Sequence, residues 1–330
     1  MQDLESLTEH ERLDRYQKTL TQALEAYPVK VRGLQFISLE SRPVYRVDTD
    51  SGYFAAKFHE PKEHNLEQIM GEMQFLDHVS RHSELRIETP LANSRGELVT
   101  AIKSVWFSEP AHVTLCSWLP GNQLEDSISA LYYRNLGEFS ALLHKVSLSF
   151  SPKTEFSILT NNQVFYWDEE TILSKENDEF LSKERQNFFR KGTQLAQEAI
   201  KDIWKSGKPV VTHNDLNPCN VKVHDGNLYL YDFEDITWGF PAQDIGTAMY
   251  YIRFRKDYPE LLGAFKEGYE QIFPWPLKSN QQLDYFVSAR LLMLANYVVN
   301  FNINPLKYLP QFEMELETLI EGGEAIGKSF

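Results

Sequence analysis

The apolar positions of this chain change period as the sequence advances, from a strand-rich first third to a mostly helical remainder. Residues 9–27 place Leu13, Tyr16, Leu20 and Leu24 at helical intervals and stop near Tyr27-Pro28. Val44-Tyr45-Arg46-Val47 then alternates, Thr49-Asp50-Ser51-Gly52 signals a turn, and Tyr53–Phe58 reads as the returning strand. From Pro61 to about Arg81 the helical period returns in Leu66, Ile69, Met70, Met73 and Leu76. Residues 97–107 and 111–118 read as further strands, and Pro120-Gly121 breaks the chain. Beyond it, Leu131–Leu143, 180–205, 283–301 and 311–326 carry helical patterns. The one β interruption predicted there is Val221–Val223 and Leu228–Tyr231, a hairpin in which Asp225-Gly226 supplies the positive φ angles.

This succession predicts an α+β chain with a small antiparallel β-sheet lobe and one main helix at residues 1–115. A connector at 116–121 and a larger, mostly helical lobe at 122–330 follow. A chain of 330 residues is long enough for two such lobes. The formal net charge of −14 argues against a basic face for nucleic acid. Two cysteines, Cys116 and Cys219, stand far apart without metal-ligand spacing, which suggests a reducing compartment. The start lacks the basic-then-apolar pattern of a signal peptide, and the longest apolar run, Leu291–Val299, is too short to span a bilayer. The expectation is a cytoplasmic protein, monomer or homodimer, with neither nucleic acid nor membrane as a partner.

The candidate chemistry is concentrated between residues 213 and 235. His213 and Asp215 stand two apart, Asn220 follows five beyond, and Asp232 comes after the predicted hairpin. Moving a phosphoryl group from ATP requires a carboxylate that orients the attacking hydroxyl, and hard oxygen ligands that hold Mg2+ against the phosphates. The spacing H-x-D-x-x-x-x-N followed by D-F supplies that set in the order of a kinase catalytic loop and its metal-binding aspartate. On this reading Asp215 is the catalytic carboxylate, and Asn220 and Asp232 are the metal ligands. His213 shapes the loop by bonding backbone near Asp232.

These residues, with Leu136-Gly137 and Leu143-His144, carry a resemblance to the aminoglycoside phosphotransferase and choline-kinase-like family, which shares the protein-kinase fold. The resemblance runs from about residue 40 to 300 and implies a bilobal protein-kinase-like fold. Tyr53-Phe54-Ala55-Ala56-Lys57 resembles the kinase V-A-I-K strand, with Ala55 leaving room for adenine and Lys57 reaching the phosphates. Helical geometry leaves Glu67 and Glu72 as rival partners for that lysine, and the resemblance favours Glu72. Cys116, Ser117 and Trp118 lie in the connector, whose backbone would meet the adenine edge. Asp244 stands where the family has a buried aspartate bracing the loop.

Two features depart from the pattern. Leu39–Val44 has no glycine where a phosphate-covering loop would be, leaving Ser41 and backbone N–H groups as candidates. Asn217 stands where protein kinases have a lysine, and Cys219 where relatives often have glycine. Residues 322–329, G-G-E-A-I-G-K-S, match a phosphate-loop string but follow a helix and precede only Phe330, the wrong context for cradling phosphate. His78 and His82, spaced for a shared helix face, have no third ligand nearby and read as surface residues.

The resemblance implies an ATP- and Mg2+-dependent phosphotransferase acting on a hydroxyl of a small molecule such as an aminoglycoside, amino alcohol or metabolite. The short run from Asp232 to Asp244 leaves no room for the long activation segment of a regulated protein kinase. Acceptor residues are sought around Trp167–Glu170, Tyr250-Tyr251 and Tyr285–Tyr297. The alternatives are an atypical bacterial Ser/Thr protein kinase of the stress-response type and a non-catalytic nucleotide-binding protein.

Overall fold

A computed structural model gives the protein's structure and describes residues 7–39, 41–61, 65–152, 156–174 and 180–321. The string at 322–329 and part of the 168–179 segment lie outside the described residues. The chain divides into two compact units. The first comprises Met1–Gly121, Ser151–Ile158 and Tyr229–Glu234; the second comprises Asn122–Phe150, Leu159–Leu228 and Asp235–Phe330.

In the first unit, α1 (Glu9–Leu24) opens with a capping box in which Thr8 and Glu11 satisfy each other's backbone N–H groups. A sheet of order β1-β2-β3-β5-β4 follows, built from β1 (Val31–Leu39), β2 (Pro43–Thr49), β3 (Gly52–His59), β4 (Thr100–Ile102) and β5 (Ala111–Ser117). Its pairings are antiparallel, and Lys57 on β3 faces Val44 on one side and Thr114 on the other. Alternation along β3 sends Ala56 and Phe58 into a core with Tyr16, Leu20 and Leu24 of α1. Ala55 and Lys57 take the opposite face, where α2 (Leu66–His82) brings Glu72. Burial of this apolar set supplies roughly 25 cal/mol per Å² of apolar surface, which holds α1 to the sheet.

β1 carries no alternating pattern, because most of its positions are partly or fully exposed, and so it escaped the sequence reading. The expected strand at 97–107 shortens to Thr100–Ile102. The chain turns at Ser104, whose carbonyl accepts the N–H of Phe107 at 3.4 Å.

The second unit begins with β6 (Asn122–Gln123) and α3 (Ala130–Ser147), and continues through β7 (Leu159–Thr160) and α4 (Lys183–Trp204). Then come β8 (Val210–Thr212), β9 (Val221–His224), β10 (Asn227–Leu230) and β11 (Thr237–Gly239). Four helices end the described chain: α5 (Pro241–Tyr250), α6 (Tyr258–Glu270), α7 (Asn280–Asn300) and α8 (Pro305–Glu321). Ser129, Ser182 and Ser279 cap α3, α4 and α7 by accepting a backbone N–H, and Pro241 sits at the start of α5.

The β9–β10 turn has Asp225 at φ 49° and Gly226 at φ 74°, and the chain passes from the second unit to the first within β10. A single β interruption was expected in this half, but a second small sheet of order β7-β11-β8 is also present. Its strands are two or three residues long, too short for periodicity to reveal. α5 and α6 were likewise not anticipated. α3 and α6 pack so closely that a Cβ at Gly137 would lie 2.0 Å from the Phe265 carbonyl oxygen. One at Gly268 would lie 1.9 Å from that of Arg134. Only glycine fits at either position.

Among the described residues no helix is long and apolar enough to cross a membrane.

Candidate active site

The first unit gathers two cations and four carboxylates around β3. Lys57, buried, lies 3.2 Å from Glu88 Oε1, 3.5 Å from Glu72 Oε1 and 3.7 Å from Asp232 Oδ1. Glu67, the rival partner, is exposed at the first turn of α2, while Glu72 is buried at 3% exposure. Burial alone would lower the ammonium's pKa, but Glu88, Glu72 and Asp232 outweigh it and hold Lys57 well above its ordinary value.

Glu88 was missed by sequence reading; it lies in Ile87-Glu88-Thr89, with nothing in its spacing to mark it. Ile87 pairs in parallel with Leu230, and the Glu88 N–H donates to the Leu230 carbonyl at 3.3 Å. That short ladder delivers Glu88 Oε1 to the backbone N–H of Asp232 at 2.8 Å. Asp232 itself adopts a left-handed φ of 66°, tolerated by aspartate more readily than by bulkier residues. Its pKa is pushed up to about 7, first by burial, with Glu234 and Glu88 adding to it against Lys57 and Arg42.

The β1–β2 turn holds Arg42 in place of a glycine-rich loop. The Arg42 guanidinium pairs with Glu234, lies 3.6 Å from Glu72 Oε2, and donates to His59 Nδ1 at 3.1 Å. His59 Nε2–H therefore faces Thr114 Oγ1 at 3.2 Å. Ser41 donates its hydroxyl to Glu234 at 2.9 Å. In the connector, the N–H groups of Ser117 and Trp118 already bond the carbonyls of Thr89 at 2.9 Å and Tyr53 at 3.1 Å. Cys116 is buried opposite Ala55 on β3, and burial raises its thiol pKa well above the ordinary value.

The second unit holds the loop between β8 and β9. A left-handed Asn214 (φ 66°) turns the chain out of β8, and Asn217 caps the turn Pro218–Asn220 by accepting the N–H groups of Cys219 and Asn220. The N–H of Asp215 donates to His213 Nδ1 at 3.2 Å, so the buried imidazole shapes the loop from within. Asp244, buried at the start of α5, accepts the N–H of Asn214 at 2.6 Å and of His213 at 3.2 Å. His144 on α3 joins this brace, with Nε2 2.8 Å from Asp244 and Nδ1 2.9 Å from the Tyr269 hydroxyl.

The Asp215 carboxylate faces loop and helix donors together. Asn220 Nδ2 reaches its Oδ2 at 2.8 Å and its carbonyl at 3.1 Å, which leaves the Asn220 amide oxygen available to a hard cation. Asn217 Nδ2 donates to the same Oδ2 at 2.9 Å. Oδ1 takes the Tyr251 hydroxyl at 2.9 Å and the guanidinium of Arg290, which comes from α7. Arg290 lies within the Tyr285–Tyr297 stretch where acceptor residues were sought but was not itself singled out, being one of several polar positions on a helix buried almost all round.

No group of three or more His, Cys, Asp or Glu side chains among the described residues could hold a metal by itself. Asn220 in the second unit and Asp232 in the first each offer hard oxygen of the kind magnesium takes. Of the acceptor candidates, Trp167 stacks on Tyr297 with ring centroids 5.8 Å apart, and Trp167 is 45% exposed.

A model of the phosphotransferase enzyme family (APH) matches residues 33–277. Amicoumacin kinase of Bacillus subtilis (strain 168) is 21% identical over 267 residues, 77% of this chain and 76% of that protein. Among solved structures, amicoumacin kinase hAmiN, in complex with AMP-PNP, Ca2+ and Ami, superposes with a TM-score of 0.75 at 18% identity. The match covers 94% of this chain and 96% of that one. A microcompartment-associated aminopropanol kinase gives 0.75 at 20% identity, over 92% and 98%. Choline kinase from Cryptosporidium parvum Iowa II gives 0.60 at 12%, over 93% and 95%. These likenesses show a protein-kinase-like α+β fold. With its family match spanning most of its length, the chain belongs to the phosphotransferase enzyme family.

Proposed function

We propose that the protein transfers the γ-phosphoryl group of ATP to a hydroxyl of a small molecule. Asp215 receives the hydroxyl proton as the oxygen bonds to phosphorus and ADP leaves with the bridging oxygen. The observation that carries this reading is the loop itself. Asn220 fixes Asp215 through its amide nitrogen and keeps its amide oxygen for a cation. Lys57, paired with Glu72, is a positive charge suited to the α and β phosphates, and Ala55 leaves space for adenine beside Cys116, Ser117 and Trp118. Asn220 and Asp232 would each offer an oxygen to magnesium, and the ion would neutralise phosphate charge when bound. His213 is a positioning residue, since its Nδ1 is taken by the backbone of Asp215.

Arg42 and Ser41 take the place of the glycine-rich loop by ordering the β1–β2 turn on Glu234. The named relatives include an aminopropanol kinase and an amicoumacin kinase, which supports an amino alcohol or a related hydroxyl compound as acceptor. A cytoplasmic setting suits Cys116 and Cys219, which form no disulfide.

The test is a panel of amino alcohols, aminoglycosides and hydroxyl metabolites, scored for acceptor-dependent ADP release with MgATP. A phosphate ester identified by 31P NMR for one acceptor class supports the assignment. Labelling of protein hydroxyls, with no small acceptor used, overturns it.

A further inference from the structure

The carboxylate of Asp215 offers about four hydrogen-bonding positions, and the second unit fills them from within. Oδ2 takes Asn217 Nδ2 at 2.9 Å and Asn220 Nδ2 at 2.8 Å. Oδ1 takes the Tyr251 hydroxyl at 2.9 Å and Arg290 Nη2. The Asp215 side chain is only 15% exposed and that of Arg290 only 8%. A substrate hydroxyl therefore cannot reach Asp215 until one donor leaves.

The four donors differ in how readily they can go. Asn217 also caps the loop turn, and Asn220 also holds the Asp215 carbonyl. Removing Arg290 would strand a buried charge. Tyr251 is neutral, and it bonds as an alcohol does: it donates to Asp215 and accepts from Arg290 Nη2 at 2.7 Å. Burial raises the phenol's pKa above its ordinary value, so it remains a donor. Its ring sits edge-on to Tyr250, with centroids 5.2 Å apart, at the end of α5 rather than in the β8–β9 loop.

We propose that the Tyr251 hydroxyl occupies the position of the acceptor hydroxyl in the resting enzyme, and that a substrate alcohol displaces it. The inference rests on Asp215 being the carboxylate that takes the acceptor's proton. The incoming alcohol then donates to Asp215 and accepts from Arg290, making Arg290 the cation at the acceptor oxygen. Its place beside Asp215 answers the absence of a lysine at Asn217, the position where protein kinases carry one. In turnover the alcohol oxygen bonds to the γ-phosphorus, the bridging P–O bond breaks, ADP departs with that electron pair, and the hydroxyl proton passes to Asp215.

Water serves as the acceptor probe. The full-length protein is given MgATP alone, and phosphate release is followed for wild type, Y251F, Y251L, R290K, R290M and D215N. Removing the phenol oxygen frees Oδ1 for water, so Y251F should raise phosphate release about threefold to tenfold with the KM for ATP unchanged. Y251L, a second variant lacking the oxygen, should move in the same direction. R290M should release phosphate at least about tenfold more slowly than wild type, with R290K recovering part of the loss. Unchanged or slower release from both Tyr251 variants overturns the inference. If D215N hydrolyses ATP as fast as wild type, the reading of Asp215 itself fails. If D215N is silent while the Tyr251 variants gain nothing, only the displaced-phenol inference fails.

Discussion

Glu88 accepts the backbone N–H of Asp232 at 2.8 Å through the same carboxylate oxygen that takes the Lys57 ammonium at 3.2 Å. One side chain thus sets the lysine relative to the aspartate that follows the hairpin. Replacing Glu88 by Ala leaves that N–H and part of the Lys57 charge without a partner, a loss of about 1–3 kcal/mol in stability. The kcat/KM for ATP should fall by at least about tenfold. E88Q keeps an acceptor for Asp232 and should retain most of the stability while still raising the KM for ATP. Urea unfolding and initial rates separate the two variants, and an E88A enzyme as stable and active as wild type would refute the coupling.

Arg42 is the only guanidinium bonded to Glu234 among the described residues, and both lie in the first unit. R42M leaves Glu234 without its guanidinium while keeping the Ser41 hydroxyl, a loss of about 1–3 kcal/mol. The double variant R42M/E234M removes both charges and should regain at least about 1 kcal/mol of the loss. Additive losses in a double-mutant cycle would show that the pair contributes no coupling.

Asp232 predicts a pH dependence with a definite sign. Its folded pKa of about 7 lies above the ordinary carboxylate value near 4, so the folded chain binds this proton more tightly than the unfolded one. The resulting stability is complete below about pH 4 and is lost as pH rises through about 7. D232N should therefore melt above wild type at about pH 8 in metal-free buffer, and the advantage should vanish toward about pH 4. Equal melting shifts at both pH values would contradict this.

Asp244 accepts two successive backbone N–H groups and faces His144 Nε2 at 2.8 Å, all with full burial. D244N turns one acceptor into a donor that meets N–H groups already pointing inward. The expected loss is about 2–4 kcal/mol in stability, with a slower kcat because the loop loses its shape. H144Q should be milder, since it leaves both backbone bonds in place. A D244N protein with wild-type unfolding and turnover would refute the bracing role.

Legibility in the sequence followed chain proximity. His213, Asp215 and Asn220 share one loop, and fixed spacing alone made them a candidate set. The hairpin after them announced itself through Asp225-Gly226, and alternation along β3 assigned Ala55 and Lys57 to one face. Glu88, Arg42, Tyr251 and Arg290 reach their partners only through tertiary packing. Glu88 depends on the Ile87–Leu230 bridge, and Arg290 contacts Asp215 across 75 positions of sequence. No period or motif marks such residues. The small sheet of β7, β11 and β8 was hidden for another reason: strands of two or three residues complete no alternation.

The account turns on Asp215 as the group that takes the acceptor's proton. The direct measurement is kcat for acceptor-dependent ADP release by D215N, at saturating MgATP and acceptor, with folding verified by its melting curve. General-base and orienting roles are worth about 10²–10⁴-fold, so kcat should fall by that factor while the KM for ATP stays within about threefold. A D215N enzyme turning over within about twofold of wild type would contradict the account.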